Sequence, residues 1–326
     1  MKPEVSIIIP LKTLNNFLHQ ETIPSILDQT YQNFEIVLLP DYLSPEKFPK
    51  TKLIPTWPKV GPADKRDIGA NVSKGKILAF LDDDSYPDKN WLKNALKIFE
   101  ENSKVAGVCG PTLTPSQDNL RQKASGYVWS TRLGSGGAGT YRCAKSPRRE
   151  VDDYPTVNFL VRKKDFWAVG GFDSHFWPGE DTKLCLDLTK KLGKKIIYDP
   201  GVLVYHHRRP VFKSHLEQIS RYAVHRGHFA RILPQTSLRL GYLMPTFFVL
   251  GLISGPAFFF ISRPLFILYL VVILVYFLIL LLTALGVYLK EKNLKLAFLV
   301  MPSIFFTHLV YGIFFIGGFL SPTLKR

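Results

Sequence analysis

Lys76-Ile-Leu-Ala-Phe-Leu-Asp-Asp-Asp84 is a short apolar run that ends in three adjacent carboxylates. Five apolar residues in succession, Ile77 to Leu81, read as a buried strand. Three neighbouring carboxylates repel one another unless positive charge sits among them, and a divalent cation is the simplest source of it. Carboxylate oxygens suit hard ions such as Mg2+ or Mn2+, and Mg2+ is commonly held by one or two carboxylates together with substrate phosphates. The triplet therefore points to a nucleoside diphosphate, against the alternative of a solvated acidic turn.

Working outward, Val5 to Pro10 and Phe34 to Leu39 are two further apolar strands. Helical stretches lie between them around Ile23 to Gln29 and after them near Asp64 to Ser73. Strands alternating with helices predict an α/β domain with a mostly parallel central sheet, whose ligand crevice lies at the carboxyl ends of the strands. Asp82 to Asp84 occupy such an end.

The 326 residues carry their charge unevenly. Gly241 to Ile261, Leu265 to Leu289 and Leu296 to Leu320 contain no Asp, Glu, Lys or Arg. Each exceeds the ~18 to 20 apolar residues that cross a hydrocarbon core, which predicts three C-terminal membrane spans. Lys290, Lys292 and Lys295 lie between the second and third spans, against Arg263 alone in the first connection. The positive-inside rule then places the N-terminal domain in the cytoplasm. Val5 to Pro10 is too short for the apolar core of a signal peptide. Cys109, Cys143 and Cys185 form neither a disulfide framework nor a zinc pattern, and a reducing cytoplasm fits them.

The formal net charge is +16, and His206 to Arg239 holds seven Lys or Arg against the single acid Glu217. Phe212, Leu216, Ile219, Ala223 and Leu233 keep helical spacing there. That predicts a basic amphipathic helix able to lie on an anionic membrane surface, with membrane lipids as partners. Nothing in this stretch matches a nucleic-acid-binding motif.

The order of the pieces carries a resemblance. Val5-Ser-Ile-Ile-Ile-Pro10, Ser25-Ile-Leu-Asp-Gln-Thr-Tyr-Gln-Asn-Phe-Glu-Ile-Val37 and Gly75-Lys-Ile-Leu-Ala-Phe-Leu-Asp-Asp-Asp84 are followed in turn by four more segments. These are Val169-Gly-Gly-Phe-Asp173, Gly179-Glu-Asp181, Gly193-Lys-Lys-Ile-Ile-Tyr198 and Val204-Tyr-His206. The set, over roughly residues 4 to 207, closely resembles the family 2 glycosyltransferases. The resemblance implies a GT-A fold and an inverting transfer from a nucleotide-diphospho-sugar. It divides the chain into a nucleotide-sugar-binding half at 1–110, an acceptor-binding half at 111–207, a basic juxtamembrane segment at 208–240 and three spans within 241–320.

Leu133-Gly-Ser-Gly-Gly-Ala-Gly-Thr-Tyr-Arg142 and the short hydrophobic tail are similar to membrane-bound enzymes of bacterial exopolysaccharide assembly, of the succinoglycan ExoA type. The glycines of 134–139 supply backbone freedom for either a mobile lid or a linker. Gln218-Ile-Ser-Arg-Tyr222 resembles the Gln-x-x-Arg-Trp motif of processive synthases with tyrosine for tryptophan, a departure that favours a structural role.

Roles follow from the same resemblance. Asp84 matches the metal-binding carboxylate, Asp82 the one nearer the ribose or the second side of the metal, and Asp83 supports them. His206, or His207 in its place, completes the metal or phosphate site, with Mn2+ or Mg2+ as cofactor. Pro10, Asp41, Lys65, Arg66, Asp82 and Asp83 are expected at the donor. Lys65 and Arg66 read equally well as a solvated helix face. Asp41 stands after Pro40 where the family commonly has two acids, so uridine is the default base by resemblance only. Glu180 and Asp181 match the family's catalytic pair, with Asp181 as general base; an acidic helix N-cap is a compatible reading. His308, inside the third span, either meets a lipid phosphate or bonds a neighbouring helix. The acceptor implied is lipid-linked or at the membrane surface. A sugar nucleotidyltransferase, which releases pyrophosphate, and an inactive scaffold are the competing classes.

Overall fold

The computed structural model describes residues 2–58, 60–137 and 139–323. It divides into two compact units, Met1–Leu113 with Ala144–His207, and Thr114–Cys143 with Arg208–Arg326. Residues 114–143, expected in the acceptor half, thus group with the C-terminal helices.

Among its described residues the first unit holds eleven strands. They are β1 Val5–Pro10, β2 Phe34–Leu39, β3 Thr51–Leu53, β4 Ile77–Leu81, β5 Ser85–Pro87, β6 Val105–Cys109, β7 Thr112–Leu113, β8 Arg149–Val151, β9 Asn158–Arg162, β10 Lys195–Tyr198 and β11 Val204–His206. Eight form the main sheet in the order β3-β2-β1-β4-β9-β6-β10-β8. The pairs among β3, β2, β1 and β4 are parallel, as is β6 with β10. β9 runs antiparallel between β4 and β6, and β8 runs antiparallel at the edge. Every residue of β1, β2 and β4 is buried, the pattern of a sheet covered on both faces.

Two features of this sheet place side chains at its carboxyl ends. The chain leaves β4 through Asp82–Asp84 and enters β5, which joins β11 and β7 in a small second sheet. There Ser85 pairs with His206, so one register brings β11 to the last carboxylate. The helix Pro62–Val72 packs on β1 and β2 through Gly69, where a Cβ would stand 2.6 Å from Ile8 Cγ2. Lys65 lies four residues earlier on the same face and is buried with it.

The second unit is helical. Its long elements are Leu120–Ser130, Lys213–Ile232, Leu240–Ser254, Arg263–Glu291 and Leu294–Leu320. Leu240–Ile261, Arg263–Glu291 and Leu294–Leu320 are each long and apolar enough to cross a membrane. The basic helix is not a free surface element. Its Ile219, Ala223, Phe229 and Ala230 are buried, and glycines allow close contact with the C-terminal helix: a Cβ on Gly227 would lie 2.1 Å from Phe315 O, and one on Gly318 1.9 Å from Val224 O. The apolar stripe expected to face lipid therefore faces protein.

Polar pairs fasten the same helices. His215 is buried, with Nδ1 2.8 Å from Ser125 Oγ and Nε2 3.0 Å from Thr307 Oγ1. His308 Nε2 lies 3.0 Å from the carbonyl of Leu133 and Nδ1 3.0 Å from Tyr276 OH. A carbonyl only accepts, so Nε2 donates and Nδ1 receives the tyrosine proton; His308 bonds neighbouring segments. Of the glycine-rich run, Gly136 adopts φ +62° against the backbone of Gly241, while Ala138 lies outside the described residues.

Burial, with Arg208 nearby, pushes the His215 imidazole down from 6.5 to about 4. Its neighbours Ser125, Thr307 and the Trp129 ring are uncharged. The neutral form belongs to the fold, so its contribution is complete above pH 6.5 and is lost as the pH falls toward 4. The loss reaches about 3 kcal/mol. Thermal unfolding in detergent between pH 7.5 and 4.5 will show this decline, and His215→Asn will flatten it.

Candidate active site

At the end of β4 the three carboxylates are treated differently. Asp83 turns toward Asn15, whose Nδ2 donates to it at 2.5 Å, and the Thr22 hydroxyl donates to its carbonyl. Burial, then the charges of Asp84 and Asp82, push Asp83 up to about 7. Asp82 accepts from Arg66 Nη2 at 3.0 Å. Asp84 stands 3.2 Å from His206 Nε2; burial works to raise it, but the imidazole holds it below the usual carboxylate range.

Asp82, Asp84 and His206 each offer a ligand atom within 4.8 Å of the other two. Two carboxylate oxygens and an imidazole nitrogen suit a small divalent cation of the first transition row, and the carboxylates suit Mg2+. The donor set thus fits the implied metal. His207 faces elsewhere: Nε2 is 3.0 Å from Glu21 Oε2 and its ring lies against Phe17, centroids 4.4 Å apart. Asp83 does not join the cluster.

Arg66 ties this group to the second motif. Its Nη1 donates to Glu180 Oε1 at 3.1 Å while Nη2 holds Asp82, and both Arg66 and Glu180 are buried. Arg66 Nε is buried without a partner. Burial and then Asp181 push Glu180 up to about 7, with Arg66 opposing. Asp181 is half-buried in the first turn of the helix Glu180–Leu186, and Oδ1 accepts from the Thr182 N–H at 2.7 Å. The helix starts earlier than expected and Gly179 is its N-cap, so Asp181 is not the capping residue.

Lys65 and Asp41 meet in a buried ion pair. Lys65 Nζ also donates to the carbonyls of Leu11 at 2.6 Å and Leu39 at 3.2 Å. All three ammonium protons are thereby used, and Lys65 fixes Asp41 beside the ends of β1 and β2, where Pro10 pairs with Leu39. Downstream, Gly170 and Gly171 take φ +94° and +76°. The turn seats Phe172 on Phe80 and Phe166, and the Phe172 N–H donates to Asp67 at 3.0 Å. A cavity of about 480 Å³ opens beside it, lined by Gly171, Asp173, His175, Lys183, Asp187 and Lys191 among others.

Sequence reasoning singled out Arg66 but missed its bridge, and it missed Asn15, Glu21 and Asp67 entirely. Their partners lie 68, 186 and 105 residues away, so nothing local marks them. Arg66→Met leaves two carboxylates on either side of a vacated cation and is expected to cost about 3 kcal/mol. Urea denaturation of the full chain in detergent tests this; an unchanged midpoint would show that the bridge contributes nothing.

The matched family model is "Glycosyl transferase family group 2", over residues 77–290. An uncharacterized glycosyltransferase of Rickettsia bellii is 39% identical over 110 residues, 31% of this chain and 16% of that protein. A glucosyl-dolichyl phosphate glucuronosyltransferase of Haloferax volcanii is 22% identical over 225 residues, 62% of this chain and 69% of that one. Among solved structures, the mannosyltransferase PcManGT of Pyrobaculum calidifontis, in complex with GDP-Man and Mn2+, matches 96% of this chain and 88% of its own. Its TM-score is 0.53 and its identity 18%. The Rickettsia match thus spans under a fifth of that relative's length. The strand order, the acidic turn after β4 and these likenesses agree on a GT-A fold, and the chain belongs to glycosyl transferase family group 2.

Proposed function

We propose that the protein is an inverting glycosyltransferase that moves a sugar from a nucleotide-diphospho-sugar to a hydroxyl of a membrane-associated, lipid-linked acceptor. The observation that carries this reading is the Arg66 bridge, which joins the Asp82–Asp84–His206 cluster to the Glu180–Asp181 pair. A charge-binding site for a diphosphate and a half-exposed carboxylate are thereby held in one rigid arrangement, as displacement at an anomeric carbon requires.

In the reaction the acceptor oxygen bonds to the anomeric carbon as the bond from that carbon to the diphosphate breaks. Asp181 takes the hydroxyl proton, and the electron pair leaves with the nucleoside diphosphate. Asp181 suits this role better than Glu180, which is buried and committed to Arg66. Asp82, Asp84 and His206 would hold Mn2+ or Mg2+, which supplies positive charge against that developing on the leaving diphosphate. Asp41, fixed by Lys65, faces the base and ribose, with uridine the default. Pro10 and Asp83 shape the same end of the sheet. For Lys65, placed at the donor by the resemblance, the ion pair with Asp41 supports a positioning role there.

The acceptor reading draws support from the apolar helices and from the Haloferax relative, whose name specifies a dolichyl phosphate. Three spans in the inner membrane, a cytoplasmic catalytic unit and a place in exopolysaccharide or glycolipid synthesis complete the proposal.

Titration of the detergent-purified chain with UDP-, GDP- and dTDP-sugars, with and without Mn2+, tests it. Binding is expected to need the metal and to be lost in Asp84→Asn; wild-type protein that binds no nucleotide sugar would refute the reading. Asp181→Asn should retain donor binding and lower turnover by about 10²- to 10⁴-fold, measured as release of nucleoside diphosphate. Pyrophosphate as product would assign the chain to the nucleotidyltransferases instead.

A further inference from the structure

Buried polar atoms without a partner are rare, because each bears the cost of leaving water with nothing in return. Among the described residues of the second unit such atoms include Nδ1 of His225 on Lys213–Ile232, Oγ1 of Thr246 on Leu240–Ser254 and the hydroxyl of Tyr311 on Leu294–Leu320. Tyr311 is the most informative of them. Its ring stacks on Phe315, centroids 6.0 Å apart, and packs with Tyr242 on the cluster of Ala223, Ala230 and Phe315. Its hydroxyl lies within the electrostatic reach of the guanidinium groups of Arg226 and Arg142.

Those two arginines come from different segments and are held in place. Arg226 Nη1 donates to Ser237 Oγ at 3.3 Å and its guanidinium sits over the Tyr242 ring, 4.8 Å from the centroid. Arg142, just after the glycine-rich run, stands 5.6 Å from the Tyr141 ring. The unit as a whole is strongly cationic, with seventeen Lys and Arg against Asp118, Glu217 and Glu291. Arg226 lies on a helix that packs against the candidate span Leu294–Leu320, and basic groups beside such spans suit an anionic lipid headgroup.

We propose that Arg142, Arg226 and Tyr311 bind the phosphate group of a membrane lipid. Guanidinium forks match phosphate oxygens, and a phenol proton supplies a further charge-assisted bond. The apolar helices that carry Tyr242 and Tyr311 offer a surface for the lipid chain. The hydroxyl of Tyr311, unmatched within the protein, then has the phosphate as its acceptor. None of its residues belongs to the first unit, which carries the proposed donor site.

The test uses the full chain in neutral maltoside detergent, with dioctanoyl phosphatidic acid, dioctanoylglycerol and inorganic phosphate as probes. Thermophoresis gives affinity and thermal unfolding gives the shift on binding. Phosphatidic acid is expected to saturate and to raise the unfolding midpoint, while dioctanoylglycerol does neither. Tyr311→Phe removes an unmatched hydroxyl, so its own midpoint should be no lower than wild type; its phosphatidic acid affinity should fall about tenfold, as for one hydrogen bond to a charged group. Arg226→Gln should weaken binding further. Unchanged affinity in both variants, or equal binding of dioctanoylglycerol, would overturn the site. Equal affinity for inorganic phosphate would overturn the assignment to a lipid. Nucleotide-sugar binding measured on the same samples separates the two readings: its absence from wild type alongside retained phosphatidic acid binding would refute the transferase and leave the lipid site standing.

Discussion

Three carboxylates in succession cannot all face one point, and the way their repulsion is resolved governs the rest of the first unit. Asp83 is turned away and held by Asn15, with its proton affinity raised by burial beside two acids. Asp82 is tied to Arg66 and Asp84 to His206. Each partner arrives by a different route. Asn15 follows β1, Arg66 sits on the helix after β3, and His206 ends β11. The parallel order β2-β1-β4 brings the first two to the same edge of the sheet, and the pairing of Ser85 with His206 delivers the third. A shift of one residue in that pairing would present Tyr205 or His207 instead.

Much of this was legible because it is local. Fully apolar runs define β1, β2 and β4, and a chain that alternates them with helices has few layouts open to it. Uncharged runs of more than twenty residues likewise announce the C-terminal helices. What was not legible depends on distant register. β9 enters the sheet antiparallel although its Phe159-Leu160-Val161 is as apolar as the parallel strands, and the short charged β8 carries little strand signal of its own. Segment 114–143 reads as a continuation of the acceptor half, yet Ala124 and Val128 find their apolar partners on the C-terminal helix. Spacing along the basic helix correctly gave its apolar stripe but could not say that glycines at 227 and 318 would seat that stripe on protein.

The second unit shows how polar groups survive among apolar helices. His215 and His308 each have both ring nitrogens matched, and each joins two segments that hydrophobic contact alone would leave free to slide. That is the ordinary use of a buried histidine, and it needs no ligand. The unmatched hydroxyl of Tyr311 obeys a different economy. A phenylalanine would fill the same space without the desolvation cost, so the oxygen is retained against the interest of the fold alone.

The same comparison distinguishes the two acids of the Glu180–Asp181 pair. Adjacent carboxylates at a helix start compete for positive charge, and only one can be close to Arg66. Glu180 takes that place, becomes buried and is linked through the guanidinium to Asp82. Asp181 is left half-exposed in the first turn of the helix, where its Oδ1 accepts from the Thr182 N–H. Arg66 thus does more than neutralise charge. By fixing Glu180 it determines where Asp181 must stand, and by fixing Asp82 it determines where a diphosphate-bound cation would sit. The separation between a proposed base and a leaving group is therefore set by the reach of one side chain.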